Sequence, residues 1–142
     1  MDKIMSLPNI RVKKDRSHAW GDYLEYRVSG KLLFRSIRIF EGAMNSLHMH
    51  ETSEVMLIES GSIKCWLGEY PDSVEVKVLQ EGDSIFIPER WWHRIEFVSG
   101  DFAEQDVPFS QIVELMFGNN QQGQYNIQRV SPAVPGRRPG KE

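Results

Sequence analysis

Three histidines and one glutamate stand at spacings that could bring them onto a single metal ion: His48, His50, Glu54 and His93. Successive side chains of a β-strand point to opposite faces, so His48 and His50, two apart, project to the same side, as a chelating pair must. Glu54 follows the polar break Glu51-Thr52-Ser53 and heads the apolar run Val55-Met56-Leu57-Ile58, so it can enter from a neighbouring strand. His93 arrives much later, after Pro88 and Arg90, which suits a closed sheet whose distant strands face each other across an interior. Imidazole and carboxylate together suit one divalent transition metal, Mn, Fe, Co, Ni or Zn, and ligand type alone does not choose among them. Four protein ligands leave positions for water and substrate, unlike a closed cysteine-rich structural zinc site. An ion held this way polarises a carbonyl or hydroxyl, or lowers the pKa of bound water.

Further residues near this set could shape a ligand site. Arg38, on the strand before the first histidine, and Arg90, in the loop before His93, are candidates to bind an anionic ligand through the guanidinium plane; the alternative is that both face solvent. Met56 and Trp91 are candidate apolar lining. Trp91 and Trp92 are adjacent and must face opposite ways, so at most one of them lines the site. Glu114 lies on a late strand and could serve as a base if its pKa were raised.

The elements that must position these residues read as short strands throughout, with weak helical signals, which predicts an all-β sandwich or barrel. The expected strands are 23–28, 32–40, 46–50, 54–59, 62–68, 74–79, 84–87, 93–98, 111–117 and 124–130. Turn pairs ending in Gly30, Gly42, Gly61, Gly82 and Gly100 punctuate them. The domain reading is an N-terminal segment over 1–19, a barrel over 20–130 and a Pro/Gly-rich tail over 131–142. The basic clusters Arg11-Lys13-Lys14-Arg16 and Arg137-Arg138-Lys141 read as solvated, mobile tails, and the sequence from Ser131 as extended or disordered chain or, alternatively, as an arm over the barrel mouth or a partner.

Composition excludes several function classes. The 142 residues fit one domain, with 40% hydrophobic and 26% charged residues and a net charge of −3, which offers no basic footprint for nucleic acid. No apolar stretch approaches bilayer length, and no signal-type run stands at the N-terminus, so membrane insertion is not expected and a cytoplasmic location is the default. The single cysteine, Cys65, shares a strand face with Ile63 and Leu67, which predicts a buried, inert thiol.

Two segments resemble the signature motifs of the cupin superfamily. The first motif is glycine, five residues, His-x-His, three residues, Glu, six residues, glycine, and Gly42, His48, His50, Glu54 and Gly61 fill every position. In the second, Gly82, Pro88 and His93 match, whereas Arg90 stands where the pattern has glycine and Phe97 where it has asparagine. The resemblance implies a double-stranded β-helix, or jelly-roll barrel, with a divalent metal inside. A narrower resemblance, carried by Trp20-Gly21-x-Tyr23, by Ser84 to Glu96, by Ile112 to Gly118 and by Asn126 to Val130, is to the cupin domain of type II mannose-6-phosphate isomerases. Those isomerases typically have glutamine at the position of His48, and their sequence near Asn126 to Arg129 differs.

The function expected from these features is a metal-dependent small-molecule cupin. It would act on a sugar, sugar phosphate or similar polar metabolite by isomerisation or a related proton-transfer or lyase step. The alternatives are an Fe(II) dioxygenase and a non-catalytic, metal-anchored binding cupin. The expected partners are a small-molecule ligand and a second copy of the chain, since edge strands such as those between Tyr23 and Phe40 favour pairing.

Overall fold

The computed structural model describes residues 10–29, 31–99, 108–118 and 127–139. Among the described residues eleven strands run in chain order: β1 Arg11–Asp15, β2 Gly21–Ser29, β3 Leu32–Phe40, β4 Leu47–His50, β5 Ser53–Ser60, β6 Ser62–Gly68, β7 Glu75–Gln80, β8 Ser84–Ile87, β9 Trp92–Val98, β10 Phe109–Phe117 and β11 Ile127–Ser131. They form two sheets, β1-β2-β3-β10-β5-β8 and β11-β4-β9-β6-β7, in which every pairing is antiparallel. This is the all-β jelly roll that the sequence led us to expect, and no helix among the described residues is long and apolar enough to cross a membrane.

Period-two alternation sets the two faces of each strand. In β3, Leu33, Ile37 and Ile39 are buried, and β10 answers with Ile112 opposite Ile37 and Met116 opposite Leu33. One end of the interior is apolar, with Ile37, Ile39, Ile58, Ile63, Cys65, Ile95, Phe97 and Ile112 in a single cluster. The other end is polar: Glu25, Arg27, Glu54, Glu114, His50 and His93 are all buried there. A buried polar set of this size is costly unless its members satisfy one another, which marks this end as the place where stability gives way to chemistry.

Two terminal expectations are corrected. The basic segment near Arg11 is not a loose tail: Arg11–Asp15 pairs with the edge of β2, from Arg11 opposite Arg27 to Asp15 opposite Tyr23. Nothing in its own composition favours a strand; the unpaired edge of β2 supplies the partners. The proline-rich tail, through Pro139, is docked rather than free. Val134 and Met44 exchange both backbone hydrogen bonds, the Gly136 N–H donates to the Ala19 carbonyl at 3.0 Å, and the Arg137 N–H donates to the Glu41 carbonyl at 2.8 Å. Pro135, which has no N–H, falls between the donors Val134 and Gly136.

Candidate metal centre

The site lies between the sheets. His48 and His50 come from β4 and His93 from β9, and His48 stands directly opposite His93 in the antiparallel register. Their ring nitrogens lie within 4.8 Å of one another, and the His48 and His93 ring centroids are 4.3 Å apart. Glu54 enters from β5 in the facing sheet; its Oε1 lies 2.8 Å from His93 Nε2 and 3.1 Å from His50 Nε2.

The outward-turned ring nitrogens are all engaged. His48 Nδ1 meets the Ser46 carbonyl at 2.7 Å, His93 Nδ1 the Trp91 carbonyl at 2.9 Å, and His50 Nδ1 the Thr52 carbonyl at 3.2 Å and hydroxyl at 2.8 Å. A carbonyl only accepts, so the proton of each neutral ring sits on Nδ1 and the Nε2 lone pair is left facing the interior, the arrangement metal-binding histidines use. Inside the cluster the polar atoms lack such partners. Glu54 is fully buried, and neither of its oxygens nor His93 Nε2 makes an aligned hydrogen bond to any N–H or hydroxyl donor, although His93 Nε2 is 2.8 Å away. Buried orphans of this kind are rare. A divalent cation would satisfy all of them, so the residues fit the metal that the motif implies.

The electrostatics follow from burial and neighbours. Burial pushes the Glu54 carboxyl up, but His93 and the hydrogen-bonding groups around it outweigh this and hold it well below the usual carboxylate range. His93 is raised, since the Glu54 carboxylate overcomes the burial that would lower it. Burial, reinforced by His93, takes His48 well below the ordinary histidine value. Glu114 goes the other way: burial, then the Glu54 charge, raise it well above the usual carboxyl range. Two carboxyls in contact, one held ionised and the other protonated, make a pair with distinct proton roles.

A cavity of about 180 Å3 opens beside the histidines and is lined in part by His48, His50, Glu114, Arg35 and Arg129. Trp20 and Tyr23 form an aromatic wall, with His18 stacked on both at centroid distances of 5.1 and 5.8 Å.

The other expected ligand residues lie elsewhere. Arg38 is turned to the outer face of its sheet, where Asp22 holds it through bonds of 2.8 and 2.5 Å and Phe109 lies beneath it. The cause is parity: it sits one residue from the inward Ile37 and Ile39. Arg90 is exposed, with Glu51 at 4.0 Å, and is not in the cavity. Its backbone carries the interest, since φ is +66° where the motif has glycine, the conformation glycine adopts at least cost. Trp91 packs against the apolar cluster and Met56 is buried within it, so neither lines the cavity. Cys65 is buried, and burial with the Glu54 charge pushes its thiol up to about 12.

Arg35 was not expected. It reaches Glu25 through Nε at 3.0 Å and Glu114 through Nη1 at 3.4 Å, and lies 4.8 Å from the Tyr23 ring centre. Arg129 was likewise missed, although it stands opposite His48 on the adjoining strand.

Comparison with known proteins agrees with this geometry. A profile of the cupin domain matches residues 36–103, which include all four candidate ligands. Residues 36–103 carry a cupin domain. Among solved structures, oxalate decarboxylase from Bacillus subtilis superposes on 89% of this chain at a TM-score of 0.65 with 17% identity, the match covering 31% of the decarboxylase. A study of substrate binding and reaction specificity in oxalate decarboxylase provides another, with TM-score 0.64, 18% identity, and coverage of 83% and 30%. A third, concerned with the Mn(II) centres of the Bacillus subtilis enzyme, matches at TM-score 0.63 and 17% identity, covering 85% and 31%. Identities this low carry the fold alone, and the chain spans about a third of the length of these structures. No curated protein matches the chain in sequence.

Proposed function

We propose that this cupin is a metal-dependent enzyme acting on a small polar metabolite, with His48, His50, Glu54 and His93 holding one divalent transition metal. The observation that carries the reading is the convergence of three Nε2 atoms and an orphaned carboxylate between the sheets, each ring fixed from behind by a backbone carbonyl. When bound, the ion supplies Lewis acidity to a ligand oxygen. Glu114, in contact with both the cavity and Glu54, is the group placed to move a proton. That division of labour suits isomerisation, a related proton transfer or a lyase step, on a sugar-like or acid metabolite.

Metal analysis of the purified protein tests the first half of the reading. About one ion per chain is expected, and none in the His48→Ala, His93→Ala double variant; full metal content in that variant would refute the ligand set. The second half is tested by incubating metal-loaded protein with candidate hydroxy acids and sugars in D2O. Deuterium entering a carbon position, and failing to enter with Glu114→Gln, supports proton transfer. Ligands recovered bound but unexchanged favour a binding protein.

The same reading includes a homodimer, but β2 and β3, expected as edge strands, lie inside the sheet between β1 and β10, so the pairing proposed is through the outer face of the six-stranded sheet. Val12, Leu57 and Phe86 are 59%, 41% and 54% exposed on that face, and Tyr26 and Phe34 stack on it at 4.7 Å. Six strands spaced about 4.8 Å apart, with usable lengths of about 25 Å, present roughly 700 Å2. A standard stable interface needs about 800 Å2 per partner, so a second copy would cover this face. Light scattering that gave the monomer mass of 16.5 kDa at every concentration would overturn it.

A further inference from the structure

The role once expected of Arg38 and Arg90 does not disappear with their displacement; two other arginines line the cavity. Arg129 on β11 stands opposite His48 in the antiparallel register, so its side chain leaves the sheet on the same face as the metal-binding imidazoles. It is exposed at the cavity mouth, and among the described residues no carboxylate pairs with it. Arg35 lies on the facing sheet, and Glu25, Glu114 and the Tyr23 ring together hold its guanidinium in place. The two cations differ in charge balance. Arg35 is flanked by two carboxyl groups, whereas Arg129 adds a positive charge that nothing described beside it neutralises.

Volume limits the occupant. A cavity of about 180 Å3 has room for the equivalent of about six waters, below the ~300–1,000 Å3 of sites for drug-sized ligands. A ligand of a few carbon atoms fits it. Trp20 and Ile37 offer such a ligand an apolar surface, the Arg129 guanidinium offers paired N–H donors of the kind that match a carboxylate or phosphate, and Arg35, engaged with Glu25 and Glu114, adds its charge at the wall.

We propose that the cavity takes a small anion, a carboxylate- or phosphate-bearing compound of a few carbons, with Arg129 capturing the anionic group at the mouth and Arg35 fixing its orientation from the wall. The proposal rests on the functional reading above only for what the metal does to the other end of the ligand. The anion itself is bound by the two arginines.

Calorimetric titration with malonate, inorganic phosphate and glycerol, on both the metal-free and the Co(II)-loaded 142-residue protein, separates the two. At least one of the anions is expected to bind more tightly than glycerol in both forms. Arg129→Met should weaken that anion about tenfold, Arg129→Lys should restore part of the loss, and metal content should stay unchanged. Added salt should erode the Arg129 contribution, since an exposed charge is screened within about 10 Å at 0.1 M. Arg35→Met should weaken anion binding as well. Because that variant disturbs Glu25 and Glu114, a melting curve accompanies it, and the surface variant at Arg129 is the deciding one. Malonate preferred over phosphate assigns a carboxylate, and the reverse order a phosphate. Glycerol bound as well as both anions, or anion affinity unchanged in Arg129→Met, overturns the proposal. If the protein loads no metal yet keeps Arg129-dependent anion binding, the metal reading fails and the anion site stands.

Discussion

Replacing Glu54 by glutamine should stabilise the metal-free protein and weaken its response to metal. In the metal-free protein Glu54 is an ionised, fully buried carboxylate on whose oxygens no N–H or hydroxyl is aligned, the proton of the neighbouring Glu114 carboxyl being, among the described residues, the one hydrogen-bonding group that faces it besides the histidines. Its nearest neighbours are His50 Nε2 at 3.1 Å and His93 Nε2 at 2.8 Å. Each buried orphan costs about 1–3 kcal/mol and a buried ion several, offset by whatever attraction a protonated His93 provides. A glutamine amide keeps the shape, removes the charge and can donate to an imidazole Nε2. A gain of about 1–3 kcal/mol is expected, or roughly 3–12 °C in Tm for a chain of this size.

The pH dependence has a definite sign. His93 is raised in the folded protein, so its pairing with Glu54 contributes fully below the unfolded histidine pKa and is lost as pH rises through the raised value. The advantage of the glutamine variant should therefore grow from pH 6 to pH 9. Metal reverses the comparison: a ligand at 100 times its Kd stabilises by about 2.7 kcal/mol, and a hundredfold weaker site gains only about 0.4 kcal/mol under the same conditions. Urea melts in chelator and in excess Zn or Mn measure both halves. A variant that is less stable than wild type in chelator, with an undiminished gain from metal, would show that the Glu54 contacts are net stabilising and that it is no ligand.

Asp15 is held at about 2 by bonds from Ser17 and Tyr23 that outweigh its burial, so it contributes stability above pH ~4 and loses it as pH falls towards 2. Asp15→Asn should cost about 1–2 kcal/mol at pH 7 and nothing at pH 2, as read from denaturation midpoints across that range. Gly136→Ala should lift the docked tail, because a Cβ there would lie 2.5 Å from the Ala43 Cβ and 2.7 Å from the Glu41 carbonyl. A loss of about 1–3 kcal/mol and faster hydrogen exchange at the Arg137 amide are expected. Arg90→Gly should be neutral to stabilising by up to about 1 kcal/mol, since relief of the left-handed backbone offsets the entropy of a new glycine; a loss above that would place the Arg90 side chain in a role its exposure does not suggest.

The ligand set was legible because each ligand sits in a short local motif, His48, His50 and Glu54 in the first and His93 in the second. His48 and His50 share a face by period two alone, and the glycines that close the motif adopt positive φ at Gly42, Gly61 and Gly82. The cavity arginines were not legible, for the same periodicity applied without a reference face. In β3 the odd residues Leu33, Ile37 and Ile39 point inward, but Leu32, Phe34 and Phe40 are also apolar, so alternation alone does not say whether Arg35 or Arg38 is inside. The pairing with β10 settles it, by setting Glu114 opposite Arg35 and Gln111 opposite Arg38.

Arg129 depends on a still longer step, since the register of β11 on β4 joins residues about eighty positions apart and shifts between Arg129 and Ser131. A metal site whose ligands sit in two short motifs, on β4, β5 and β9, can thus be read from spacing. The residues that choose its ligand come from other strands, and their orientation exists only once the sheets have been assembled. That separation places the recognition residues Arg35 and Arg129 outside both motifs. It follows that substitutions at these positions can change the ligand while every motif residue, and the metal, stay as they are.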